Sequence, residues 1–403
     1  MDVKASNGNW LINNAKPNTA EAPKLVSSSL TWEKIKSTNI GLDVAALNNR
    51  LTGSFDYFIR KTEDMMGPGI ELPAALGTNV PPTNNTDMKT YGWELQIGWR
   101  DQIGDFKYGA KLSLSDSQSK ILRYGNPTGS LSKYVEGELI GNIYGYTTIG
   151  IAKTDEEMQQ HLASLPNGGQ SALGSQWAAG DIMYADLNGD GKINNGSYTI
   201  NDMGDMKKIG NSTPRFMTGI NLDAAYKGWD LQMFWQGVLK RDWWPGDKNM
   251  TFWGVTDGEW WSTSFKEHLD YFRTSENPLG ENLNSYYPRP IFNTKNNKSQ
   301  TRYLQNAAYM RLKNIQVGYT FPKVWINKLM LQNLRIFVSG ENLLTITSLS
   351  DTMDPETCGA GYQSTEQANG TVYPLAKTIS FGLSVNSVSY THLRAHETLM
   401  NLV

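Results

Sequence analysis

The chain has one cysteine, Cys358, among 403 residues. It therefore forms no intrachain disulfide and no cysteine-based metal cluster. Histidine is also scarce, with four in all, two of them at His392 and His396. That leaves no credible Ser/His/Asp set, and no phosphate-cradling or dinucleotide-binding glycine fingerprint is present. Positive charge is not in surplus, since 37 Lys+Arg meet 39 Asp+Glu for a formal net charge of −2. A nucleic-acid binder carries a basic surplus or stripe, so no nucleic-acid partner is expected. Long apolar runs are missing as well. None reaches the ~18 residues of a membrane-crossing helix, and the mean hydropathy is −0.47. A helical membrane protein is excluded, but a β-barrel is not, because its alternating strands leave only a mild hydropathy trace. The start, Met1-Asp2-Val3-Lys4, lacks the apolar core of a signal peptide, so an export signal is expected upstream.

Aromatic residues and glycine are plentiful, with 13 Trp, 19 Tyr, 12 Phe and 38 Gly. The aromatics fall into period-2 alternation, the mark of strands. From Tyr91 to Arg100, Tyr91, Trp93, Leu95, Ile97 and Trp99 take one face, and Gly92, Glu94, Gln96, Gly98 and Arg100 the other. Rings stand at the ends and aliphatics in the middle, as in a strand crossing a bilayer between two interfaces. Eight further segments alternate in the same manner: Thr38–Val44, Phe55–Ile59, Phe106–Leu114, Phe216–Tyr226, Trp229–Trp235, Ile315–Phe321, Leu334–Val338 and Ile379–Val385. Phe58 is an exception, an aromatic on the polar side.

Short and long links take turns between these strands. The short links lie at Asn48-Asn49, Asp101–Gly104, Lys227-Gly228 and Pro322–Asn333. The long ones run over Asp64–Asp87, Lys120–Thr213, Leu239–Asn306 and Leu343–Leu375. Outer-membrane barrels alternate short periplasmic turns with long extracellular loops in this way. The reading is all-β: the C-terminal part of a large antiparallel transmembrane β-barrel with long extracellular loops. An open sheet edge in lipid leaves backbone groups unpaired, so earlier strands are expected upstream.

Leu30-Thr31-Trp32-Glu33, the stretch Thr38–Asp64, Gly92-Trp93-Glu94, Tyr184–Ile193, Gly210–Arg215 and Trp235-Gln236-Gly237 occur in that order. Tyr309–Pro322, Leu334–Leu343 and Asp354-Pro355-Glu356 follow. Together they resemble the C-terminal half of SusC/RagA-type TonB-linked outer-membrane proteins of Bacteroidetes. The resemblance covers Leu30 to Asn386. It implies a barrel of about 22 strands with a plugged lumen, whose plug and early strands lie upstream. It also implies a place in the cell outer membrane and a SusD-like surface lipoprotein as partner. Import of glycans, less often peptides, would draw energy from the TonB–ExbB–ExbD machinery, with no catalytic step. Residues 1–386 form the barrel portion. Residues 387–403 lack alternation and the family's terminal aromatic, and read as a non-native tail in which His392 and His396 are accidental neighbours rather than a zinc pair.

Two clusters carry possible chemistry. Asp186, Asn188 and Asp190, followed by Gly191, have the spacing of a calcium loop, with the Lys192 carbonyl as a further ligand. The twelfth position is Ser197 rather than glutamate, so Asp202 or Asp205 has to supply a carboxylate. The alternative is an Asx-rich turn that closes without metal. The second cluster is Trp243, Trp244, Trp253, Trp260 and Trp261, with Asp242, Asp247, Asp257 and Glu259 between them. Exposed tryptophan faces beside carboxylates suit sugar rings, and Asp257 and Glu259 are the nearest acids to the last pair. The competing roles are a loop packing its own aromatics and an interface with a lid partner. The whole-protein alternatives are a soluble carbohydrate-binding β-protein and a secreted glycoside hydrolase, the latter requiring a converging acid pair.

Overall fold

The computed structural model describes residues 30–69, 80–258, 263–329, 331–358 and 374–387, with short stretches before residue 30. Trp260, Trp261, Glu259 and the tail from 388 onward lie outside the described residues. Nine long strands form one sheet. They are β1 (Lys34–Ala46), β2 (Leu51–Gly67), β3 (Thr83–Ile103), β4 (Phe106–Arg123) and β5 (Arg215–Tyr226). β6 (Trp229–Lys240), β7 (Tyr309–Thr320), β8 (Leu331–Thr347) and β9 (Thr378–Ser387) complete it. Each strand pairs antiparallel with its sequence neighbours, so the sheet is an unbroken meander. Among the described residues, β1 and β9 pair on one side only.

The strands outrun the alternating segments that revealed them. β3 has 21 residues, about twice the 9–11 needed to cross a bilayer. The alternating apolar stretch Tyr91–Trp99 takes up only part of that length, and the rest is largely polar.

Two short turns show why the hairpins close where they do. Lys227 and Gly228 both have positive φ, at 44° and 90°. That is the mirror-image turn whose twist matches two-residue hairpins. Asn48 and Asn49 adopt the same region, at 57° and 61°, which asparagine tolerates better than most residues.

Cross-strand register fixes the faces. Leu95 lies opposite Phe55 and Leu114, and Ile97 opposite Leu112. The row continues from Leu112 through Ile220 and Trp235 to Leu312 and Leu344. On the other face, Gln96 lies between Ser54 and Ser113, and Arg100 opposite Gly109. Tyr91, Trp93, Leu95, Ile97 and Trp99 thus share one face, and Glu94 and Gln96 the opposite one. Ile40, Leu42, Phe55, Tyr57, Val317, Val338 and Phe381 are exposed, Phe381 at 82%. A monomer in water does not leave so continuous an apolar face uncovered. Phe58 packs on Gly92 across the strands, its ring tip 2.9 Å from where a β-carbon would stand. That explains an aromatic on the polar face.

The buried core lies elsewhere, in the long links. Tyr146, Met158, Trp177, Ile182, Tyr184, Trp253, Phe272, Tyr287, Tyr303 and Leu349 belong to one hydrophobic cluster. The links 124–214, 241–308 and 348–358 all contribute to it. Helix α1 (Asp155–Ala163) lies in the first of these, capped by Thr154, whose side chain accepts the Glu157 N–H at 3.2 Å.

Candidate functional site

The long-link assembly is the only part of the described chain that combines a core with chemistry-bearing side chains. Its two largest links are clasped by ions and hydrogen bonds. Asp181 from the first link is buried and takes Arg289 Nε at 2.8 Å and Lys295 Nζ at 2.8 Å from the second. Asn296 adds an N–H at 2.9 Å. Lys295 also donates to the Ser175 and Gln176 carbonyls, each at 2.9 Å, and stands 4.5 Å above the Trp177 ring. Burial alone would raise the Asp181 carboxyl, but its bonds from Arg289, Asn296 and Lys295 outweigh that and hold it below the usual range. Sequence reasoning missed this cluster, because nothing local marks residues that meet only through tertiary folding.

The acidic turn folds largely as its spacing requires. Asp186 accepts the N–H groups of Gly189 at 2.7 Å and Gly191 at 2.9 Å. Asn188 accepts the Asp190 N–H at 3.0 Å, and Asp190 accepts that of Lys192 at 3.1 Å. Of the two candidate extra carboxylates, Asp205 joins. Asp186, Asp190 and Asp205 each bring an oxygen within 4.8 Å of the others. Asp205 is held by the Leu187 N–H at 2.9 Å and the Asn194 N–H at 2.8 Å. Asp202 does not join. It is turned away by Ser197, whose N–H and hydroxyl donate to it at 2.8 and 2.6 Å. Burial raises the Asp205 carboxyl above its ordinary value, with the charge of Asp186 adding to the rise. Burial pushes the Asp186 carboxyl up, but its hydrogen bonds with the Gly191, Gly189 and Asp190 N–H groups and with Asp205 together outweigh this and hold it below its ordinary value.

The tryptophan cluster departs from the expectation of open platforms. Trp253 is fully buried and Trp243 is 5% exposed. Trp253 packs edge-on to Phe252 and Tyr303, with ring centroids 4.8 Å away in both cases, and donates its N–H to Gly246 at 2.8 Å. Asp257 is also buried. These residues build the assembly and present no face to solvent. Trp244 is half-buried and edge-on to Trp253 at 6.1 Å. Asp242 accepts the Asn211 N–H at 2.9 Å, and Asp247 pairs with Lys298 at 3.5 Å.

A second clasp ties the last long link to the sheet. Arg311, buried on the polar face of β7, binds Asp354 at 2.9 Å and Glu356 at 3.1 Å, and Lys313 binds Glu356 at 3.1 Å. The Asp354-Pro355-Glu356 motif therefore anchors link to strand.

An antiparallel meander of nine long strands with a folded assembly at its long-link end has the form of part of a large β-barrel. Comparison with known proteins narrows this. The chain is 29% identical over 381 residues to TonB-dependent receptor P3 of Formosa agariphila, covering 89% of this chain and 34% of that protein. It is 24% identical over 371 residues to TonB-dependent receptor SusC of Bacteroides thetaiotaomicron, covering 90% of this chain and 33% of the relative. The solved structure of the RagAB peptide transporter superposes with a TM-score of 0.66 at 19% identity, covering 95% of this chain and 38% of that one. No protein-family model matches. In sequence the chain is similar to a stretch of TonB-dependent receptors that include SusC, and in fold to the matching part of the RagAB transporter. It spans about a third of the length of the curated relatives it matches.

Proposed function

We propose that the whole protein resides in the outer membrane and imports oligosaccharides, or other nutrients such as peptides, in a TonB-dependent manner. The carrying observation is the division of the sheet into an exposed apolar face and a polar face lined by Gln96, Arg100, Lys111 and Asp223. The first face suits lipid, and the second suits a hydrated lumen through which a polar cargo passes. A SusD-like surface lipoprotein is the proposed partner at the long-link assembly, and TonB–ExbB–ExbD the proposed energy source. The similarity to receptors named SusC and P3 supports this reading.

Calcium is proposed at the acidic turn, with Asp186, Asn188, Asp190 and Asp205 as side-chain ligands and the Lys192 carbonyl completing the set. Its role would be to brace the assembly, with no part in chemistry.

The test is a gene deletion complemented by the full-length protein, with growth followed on single oligosaccharides and on peptides. Growth on at least one such nutrient should require both this protein and TonB. Unimpaired growth of the deletion strain on every nutrient, together with absence of the protein from outer-membrane fractions, would overturn the proposal.

A further inference from the structure

One step beyond the apolar band, the same face of the sheet changes chemistry. Lys36 lies opposite Lys61, Lys61 opposite Lys89, and Lys89 opposite Lys120. The four lysines form a single row across β1 to β4. At an interstrand spacing of about 4.8 Å the row is about 14 Å long. Each lies an even number of residues from Ile40, Ile59, Tyr91 or Leu114 on its own strand, so all four share the apolar face. The row stands at the strand ends that lead into long links.

Like charges directly opposed on neighbouring strands destabilise a sheet, so this register calls for an anion. The nearby carboxylates reach only the first lysine of the row, Lys36. Glu63 holds Lys36 at 2.6 Å, Asp64 holds Lys34 at 3.0 Å, and Arg123 takes Asp64 at 3.0 Å and Asp87 at 2.8 Å. Asp116 is bound by Arg215. Among the described residues, Lys61, Lys89 and Lys120 have no carboxylate within ion-pair distance. Lys89 rests over the Tyr91 ring at 5.6 Å, which leaves its ammonium protons free to donate.

We propose that this row binds the phosphorylated headgroup of an outer-leaflet amphiphile whose acyl chains lie along the apolar face beneath it. The proposal rests on the reading of that face as lipid-exposed and adds a specific lipid contact. Phosphate oxygens accept from the three ammonium groups of Lys61, Lys89 and Lys120 at once, and Tyr91 and Trp93 stand where headgroup meets chain. The charge and the apolar surface are continuous, which fits a lipid better than a soluble anion.

The experiment uses the full-length protein in detergent, titrated with lipid A and with lipid A stripped of phosphate, retention being read by native mass spectrometry. Wild type should retain the phosphorylated lipid and release it as ionic strength rises. A Lys61→Gln, Lys89→Gln, Lys120→Gln variant should bind it roughly tenfold more weakly. That variant should be at least as heat-stable as wild type without lipid, because it loses like-charge repulsion. Lys111→Gln, on the opposite face, should leave retention unchanged. Equal retention of stripped lipid, unchanged retention by the triple variant, an equal loss in Lys111→Gln, or displacement by inorganic phosphate at matched concentration would each overturn the proposal. Heat-modifiable migration reports the barrel reading separately. If wild type lacks it, that reading fails and carries the proposal with it. If wild type shows it and the triple variant still holds lipid, the proposal alone fails.

Discussion

Lys295 and Asp181 meet at 2.8 Å across two different long links, and their side chains are only 2% and 0% exposed. This pair, with Arg289 and Asn296 around the same carboxylate, fastens the two links into one body. A buried charge that loses its partner is strongly destabilising. Asp181→Asn should therefore weaken the assembly by about 3–5 kcal/mol. Hydrogen exchange over residues 142–211 and 266–306 is the measurement, and protection equal to wild type would remove the clasp from the account.

The same carboxylate sets an acid limit. Its folded pKa lies below its ordinary value. The stabilisation it gives is complete above the unfolded value of about 3.9 and is lost as pH falls through the folded value. Protection of the links should hold from neutral pH down to about 5 and fall only below about 4. Asp181→Asn should lose that acid-dependent step, whereas a midpoint near 6 would point to histidine instead.

The lipid-face assignment makes opposite predictions for adjacent residues. Leu95→Arg, in the middle of the apolar band, should cost about 2–4 kcal/mol in vesicle-based unfolding. Gln96→Arg, one residue on and facing the lumen, should cost far less. Equal penalties, or the reverse order, would mean the faces have been exchanged.

Calcium should bind the acidic turn of the full-length protein and raise its melting temperature. Asp190→Asn should abolish the gain, and Asp202→Asn should leave it intact, because Asp202 is held by Ser197 instead. Burial raises the Asp205 carboxyl, so affinity should weaken on acidification at a higher pH than for an ordinary carboxylate. Calorimetry with and without chelator would decide it; no heat at millimolar calcium would leave a turn that closes on its own backbone.

The sheet was legible because its information is local. Alternation such as Tyr91 to Trp99 names a strand and its faces together, and Lys227-Gly228 names the turn. Phase was less legible. Met310 and Leu312 share a face with Ile315 and Val317 only because the pairing shifts around Lys313. Straight alternation through that point would misplace half the strand. Helix α1 had a readable signal in Thr154 and Glu157, three apart before a polar helix, yet it sits inside a link where no strand pattern drew the eye. For the tryptophans, the choice between open platforms and a loop packing its own aromatics was illegible for a deeper reason. Nothing in the order Trp243-Trp244-Pro245 tells whether Tyr287 and Tyr303, tens of residues on, will cover Trp253. Of the two acids offered for the cation turn, spacing alone could not choose, and Ser197 decided.

The separation of the apolar core from the sheet has a thermodynamic consequence. The links are held mainly by contacts among themselves, with the Arg311 clasp as a tie to the sheet, whereas the strands, on the proposed reading, face a solvent that is partly hydrocarbon. Detergent exchange alters the second environment and reaches the first only through that clasp. Unfolding should then proceed in at least two stages, with the links melting at a temperature indifferent to the amphiphile chosen. A single melting temperature for this molecule would be an average over two events of different physical origin.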